Sequence, residues 1–135
     1  MNKDDVLAHF QSLGGCHCER QLADGRELIL IQLRDSTIRD EDLAMLEHLA
    51  NQVDLVGLEN MSVTDAGLTH LCRLPKLDNI DLANTEITDA GLDILSSIKT
   101  LECLCVENTS VTRSGVERFE AAVPGCYVTW DERPV

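Results

Sequence analysis

A phrase near the middle of this chain is written twice in register. "VTDAGLTHL" spans Val63 to Leu71, and "ITDAGLDIL" spans Ile87 to Leu95, 24 residues later. A fixed period constrains the fold more tightly than composition does, because it marks one small supersecondary unit stacked on copies of itself. The phrase belongs to a longer unit. "LDNIDLANTEITDAGLDILSSI" begins at Leu77 and "LECLCVENTSVTRSGVERFEAA" at Leu101. Further back, "VDLVGLENMSVTDAGLTHLCRL" begins at Val53 and "LILIQLRDSTIRDEDLAMLEHL" at Leu28, with one extra residue near 50–52.

The apolar positions of the four copies stack into columns. Leu33, Leu58, Leu82 and Val106 form one, continued by Trp130; Ile31, Val56, Ile80 and Leu104 form another, continued by Val128. Their spacing of two residues predicts a strand with these side chains on one face. Later in each unit Leu43, Leu46 and Leu49 match Leu68, Leu71 and Leu74, then Leu92, Leu95 and Ile98. A spacing of three predicts one buried stripe of a short helix. Ile38, Val63, Ile87 and Val111 plug the loop between strand and helix. No unit of strand, turn and helix can bury its own apolar face; stacked units bury it together.

Polar residues recur on the same period. Asn60, Asn84 and Asn108 follow the strand, with Asp35 in the first copy. A short amide there is expected to hydrogen-bond backbone groups that the turn leaves unpaired. Thr64-Asp65 and Thr88-Asp89 offer an N-cap acceptor before the helical stripe, and Thr112 does so in the last copy. Gly67, Gly91 and Gly115 fall in the first helical turn, where Gly costs roughly 1 kcal/mol against Ala, so their recurrence predicts close packing between units.

The pattern L-x-x-L-x-L-x-x-N followed by I-T-D-A-G-L-x-x-L resembles the leucine-rich repeat family, in its short bacterial variant with the T-D-A-G-L phrase. The resemblance covers about residues 28 to 130. It implies a right-handed α/β solenoid with a parallel sheet on the concave side and helices on the convex side, and a protein-binding scaffold as its use. "IRDEDL" at Ile38 to Leu43 and "VTRSGV" at Val111 to Val116 depart from the phrase, as atypical end repeats do.

The ends read as caps. "KDDVLAHFQSL" places Val6, Leu7, Phe10 and Leu13 on one helical face, stopped by Gly14-Gly15. "CHCERQL", the turn "ADG" and "RELILIQL" predict a hairpin whose second arm is the first repeat strand. At the far end "VPGCYVTWDERPV" supplies a last strand, and Pro134 discourages further pairing. The expected organisation is one domain over 1–135. It has an N-terminal helix-hairpin cap (1–27), four repeats of about 24 residues (28–123) and a capping strand (124–135).

Composition narrows the setting. Apolar residues make up 44% and aromatics only 3%, so Leu, Ile and Val must build the core. Eleven basic residues against 24 acidic ones leave a net charge of −13, which repels phosphate backbones and argues against a nucleic-acid partner. "MNKDDVLAHF" has no apolar run after its charges, and nothing approaches the ~18 apolar residues of a membrane span. Six cysteines with no expected need for disulfides point to reduced thiols and a cytoplasmic setting.

Two cysteine segments are the candidates for chemistry. Cys16, His17 and Cys18 carry ligand types for zinc or copper. With Ala23 paired to Arg26, however, Cys16 faces Leu33 and Cys18 faces Ile31. Both thiols then enter the core, His17 points the other way, and the three cannot share one ion. Cys103 and Cys105 have the opposite parity to Leu104 and project onto the concave face, as a possible redox or ligand pair. No His or Lys stands beside them to lower a thiol pKa, and Glu102 and Glu107 would raise it. His9, His48 and His70 sit outside the buried helical stripes. Glu41, Asp42 and Glu47 are acids of a helix start, where the dipole alone favours them. No Gly-rich phosphate loop is present, and neither catalysis nor a cofactor is expected.

The concave face remains. Its outward positions form three rows: Leu30, Leu55, Asn79, Cys103 and Tyr127; then Gln32, Gly57, Asp81, Cys105 and Thr129; then Arg34, Glu59, Ala83, Glu107 and Asp131. Exposed apolar groups beside carboxylates suit an apolar, basic protein or peptide. The expected function is therefore a non-catalytic interaction module. Its contact residues would be Leu30, Leu55, Asn79, Cys103, Tyr127, Glu59, Asp81 and Glu107, and the alternative is a thiol or metal protein using Cys103/Cys105 or the Cys-His-Cys segment.

Overall fold

The computed structural model describes residues 3–12, 16–21, 23–24, 27–32, 39–49 and 52–131, with 16–20 and 27–28 described by backbone alone. Helix α1 (Lys3–Ser12) is followed by strands β1 (Cys16–Gln21) and β2 (Glu27–Gln32), a 3-10 helix (Asp40–Leu49) and β3 (Val53–Gly57). A 3-10 turn (Asp65–Gly67) runs into α2 (Leu68–Leu71), then come β4 (Asn79–Asp81), α3 (Asp89–Leu95), β5 (Cys103–Cys105), α4 (Arg113–Ala122) and β6 (Tyr127–Thr129). The strands form one sheet in chain order, with β1 antiparallel to β2 and all later pairs parallel. Parallel neighbours require a crossover, and successive right-handed crossovers put every helix on the same side of the sheet. The opposite face stays open.

The columns are confirmed. Ile31, Val56, Ile80, Leu104 and Val128 are direct neighbours across the sheet. Leu58, Leu82 and Val106 are buried beside them, and Trp130 packs half-buried against the same core. The helical stripe Leu43, Leu46, Leu49, Leu68, Leu71, Leu74, Leu92, Leu95 and Ile98 is buried, as are the loop plugs Val63 and Ile87. At the N-terminal end α1 lays Val6, Leu7 and Phe10 onto the 3-10 helix of the first copy. Leu13, Gly14, Gly15, Leu33, Arg34, Asp35, Ile38 and Pro134 lie outside the described residues.

The helices differ in kind, and the spacing of their buried residues does not by itself decide it: Leu92, Leu95 and Ile98 also recur every three residues, yet α3 is α-helical. Leu43, Leu46 and Leu49 recur every three residues, the period of a 3-10 helix, and that segment is 3-10 throughout. Val116, Phe119 and Val123 are spaced three then four, which fits 3.6 residues per turn, and α4 is a regular α-helix.

The T-D-A-G phrase proves to be a contact between units. The Thr64 backbone N–H donates to Asp40 Oδ1 at 2.9 Å, and its hydroxyl donates to Asp40 Oδ2 at 2.5 Å. Thr88 does the same to Asp65 (2.9 and 2.6 Å) and Thr112 to Asp89 (2.8 and 2.5 Å). The glycines clear the space these carboxylates occupy. A Cβ at Gly67 would lie 2.5 Å from Asp40 Oδ1, and one at Gly91 or Gly115 would lie closer still to Asp65 Oδ1 or Asp89 Oδ1. The ends obey the same rule. The first copy has the Asp (Asp40) without the Thr or Gly; the last has Thr112 and Gly115 but Arg113 where the Asp would stand. Arg113 instead lies over the Trp130 ring, 5.9 Å from its centre.

Three expectations need correction. β1 pairs with β2 one residue away from the expected register: Cys16 is opposite Gln32 and Cys18 opposite Leu30, because the turn centres on Asp24. A one-residue slip exchanges the two faces of a strand, so the backbone places both cysteines in the concave rows. Thr88 and Thr112 do cap their helices, accepting from the N–H of Ala90 (3.2 Å) and Gly115 (3.3 Å), but Thr64 makes no side-chain cap bond. Asn60, Asn84 and Asn108 have φ of 62°, 60° and 55°, a left-handed conformation that Asn tolerates better than most residues. Their recurrence thus reflects backbone shape first. The Asn108 side-chain amide also donates to that of Asn84.

Candidate functional site

The concave rows are in register as expected. Leu30, Leu55, Asn79, Cys103 and Tyr127 are successive neighbours across β2 to β6, and so are Gln32, Gly57, Asp81, Cys105 and Thr129. Neighbours in a row stand about 4.8 Å apart, and rows about 6.6 Å apart. The third row continues past the strands: the N–H groups of Asn60 and Asn84 donate to the carbonyls of Ala83 and Glu107, and that of Asn108 to Asp131 Oδ1 at 2.7 Å. This ties Glu59, Ala83, Glu107 and Asp131 into one line.

Exposure rises along the face. Leu30, Leu55, Asn79, Asp81 and Glu59 are half-buried, whereas Cys103, Glu107 and Tyr127 are exposed. Tyr127 is 69% exposed, and among the described residues it is the only large hydrophobic side chain so placed. The two ends of the face also differ in how far their polar groups are engaged. At the β2–β3 end the Gln32 amide lies where a Cβ of Gly57 would be and donates to Glu59 Oε1 at 3.1 Å. Neither the overlap at Gly57 nor this bond was foreseen from sequence, although a lone Gly within a strand pattern signals close approach of another group. At the β5–β6 end Glu107 is exposed and makes no ion pair with a described side chain.

Charge is segregated. Among the described residues, none in the three concave rows is basic. The cations lie elsewhere: Arg73 pairs with Glu47, Arg118 with Asp93 at 3.4 Å, and Arg113 stacks on Trp130. Lys76 and Lys99 flank an open cleft of about 510 Å³ among the loops that enter β4, β5 and β6. Asp78 and Glu102 line it too, and Lys99 Nζ donates to the Ala122 carbonyl at 2.9 Å, so the cleft is locally balanced in charge.

The thiols fall into distinct settings. Cys72 (on the helical side) and Cys103 are exposed, Cys105 is half-buried and Cys126 is buried, all of them free. Burial, with a smaller contribution from Cys103 nearby, pushes the Cys126 thiol up to about 11. Cys103 and Cys105 share the concave face as expected. β1 and β5 are four strand spacings apart, about 19 Å, which is too far for the two cysteine pairs to share one ion. Among the described residues no group of three His, Cys, Asp or Glu could hold a metal ion. The acidic helix start is occupied internally: Asp42 Oδ2 accepts the Arg39 N–H at 2.9 Å, and Asp42 Oδ1 lies 3.4 Å from His9 Nε2. Glu47, beyond its bond to Arg73, lies 4.0 Å from His70 Nδ1.

No family model matches the chain, and no curated protein matches it. Solved structures do. Internalin C2 of Listeria monocytogenes superposes with a TM-score of 0.52 at 17% identity, over 68% of this chain and 39% of that one. The LRR ectodomain of the receptor kinase SOBIR1 of Arabidopsis thaliana gives 0.47 at 13% identity, over 95% and 90%. This chain therefore spans well under half the length of the internalin. The repeat, the parallel sheet and the first of these likenesses agree on one architecture: the chain folds as an α/β leucine-rich-repeat solenoid.

Proposed function

We propose that the chain is a non-catalytic interaction module that binds a partner protein or peptide through its concave sheet. The observation that carries this reading is the exposed Tyr127 at the end of a five-residue row, beside rows that hold carboxylates and no described base, with Arg20 of β1 one row beyond them. A large side chain on a rigid strand loses little entropy when covered, which makes Tyr127 and the half-buried Leu55 the apolar anchors. Glu59, Asp81 and Glu107 attract a basic partner and speed its approach, so binding weakens as salt rises. A protein or peptide suits this field; a nucleic-acid backbone does not. We place the module in the cytoplasm, a reading supported by the free state of the four described thiols. No helix among the described residues is long and apolar enough to cross a membrane.

The test is a pull-down from native extract with three variants. Tyr127→Ala and Glu59→Lys/Glu107→Lys should lose the partner, while Lys76→Glu on the loop edge should keep it. Loss by Lys76→Glu alone would move the binding surface off the sheet and overturn the proposal.

A further inference from the structure

The two ends of the concave face are not equivalent, and the difference points to where a partner sits and what it carries. We infer that the β4–β6 end recognises an extended segment bearing arginine near an apolar side chain. The apolar group rests on Tyr127 and Cys103, and the guanidinium lies among Asp81, Glu107 and Asp131. This deepens the concave-face reading and rests on it.

The β2–β3 end is already satisfied from within, since Gln32 covers Gly57 and bonds Glu59. The β4–β6 end is not. Asp81 Oδ1 accepts the Ala83 N–H at 3.0 Å and Asp131 Oδ1 accepts the Asn108 N–H, but each keeps a second carboxylate oxygen with no described partner. Glu107 is exposed, and Arg113, on the first turn of α4, is stacked on Trp130. Carboxylates brought together by the backbone with no counter-ion among the described residues favour a cation that can serve more than one of them. A planar guanidinium does this with its fork of donors, and it also stacks on a tyrosine ring; an ammonium is a single point charge. The Tyr127 row lies one row (about 6.6 Å) from Asp81 and two rows (about 13 Å) from Glu107 and Asp131. An extended segment rises about 3.3 Å per residue, so its arginine falls two to four residues from the apolar anchor.

A displayed library of random short peptides, selected on the intact protein, tests this. Enriched sequences should carry arginine two to four positions from an aliphatic or aromatic residue. Their affinity should fall about tenfold or more with Tyr127→Ala, with Asp81→Asn/Glu107→Gln, and when lysine replaces the arginine. Asp81→Asn keeps an oxygen for the Ala83 N–H, so the loop is preserved. Leu55→Ala and Glu59→Gln, at the end already engaged from within, should cost less than the β4–β6 substitutions, and Arg73→Glu on the helical side should leave affinity unchanged. Absence of enrichment, or enriched peptides without arginine, overturns the inference. Loss of binding confined to Leu55→Ala and Glu59→Gln also overturns it while leaving the concave-face reading intact; loss confined to Arg73→Glu on the helical side removes both.

Discussion

Gly91→Ala should destabilise this protein, although alanine is the better helix former by roughly 1 kcal/mol. A Cβ at position 91 would fall on Asp65 Oδ1 and lie 2.9 Å from Leu68 Cδ1. The carboxylate can yield only by giving up its bonds from the Thr88 N–H and hydroxyl, at 2.9 and 2.6 Å. Hydrogen bonds to a charged group contribute about 1.5–3 kcal/mol each, and partial exposure here sets the pair at roughly 2–3 kcal/mol together. Subtracting the helical gain leaves Gly91→Ala about 1–2 kcal/mol less stable. Asp65→Ala alone loses the full pair, roughly 2–3 kcal/mol. In the double variant the carboxylate is gone, the new methyl group meets less, and the helical gain returns. Its cost should be about 1–2 kcal/mol rather than the sum of the singles. Urea denaturation, with the slope unchanged, reads all three values. Additivity within about 0.5 kcal/mol would refute the idea that the glycine exists to admit the neighbouring aspartate.

Leu82 is fully buried in the shared column, so Leu82→Ala should cost about 2–5 kcal/mol and lower the denaturation midpoint of the whole stack. At Asn84 (φ 60°), Asn84→Gly should be close to neutral, whereas Asn84→Val should cost about 1–2 kcal/mol by calorimetry. The Cys126 thiol is raised from 9.0 to about 11, so the unfolded chain ionises first. Stability should be full below pH 9.0 and fall as pH rises towards about 11, a loss that Cys126→Ala removes.

The repeats made most of this fold readable in advance. Because Ile31, Val56, Ile80 and Leu104 recur in phase, aligning the copies fixes the parallel register, and with it the concave rows from Leu30 to Tyr127. The β1–β2 hairpin has no second copy to align with. Only its turn residues spoke for the register, and the reading missed by one. Within one unit the threonines predict only caps, whereas the main partner of each is the aspartate of the unit before. That relation was written in the end copies, where Asp40 lacks its Thr and Gly and Thr112 lacks its Asp. The engagement of Gln32 with Gly57 and Glu59 depends on a side-chain conformation that no periodicity encodes.

Two native thiols offer the most direct measurement of the central claim without any substitution. Cys103 is exposed on the concave sheet and Cys72 is exposed on the helical side. Alkylation of both can be followed by peptide mass with and without a saturating partner. The concave-face account predicts that the partner slows Cys103 severalfold and leaves Cys72 unchanged. Protection of Cys72 with Cys103 still fully reactive would contradict it.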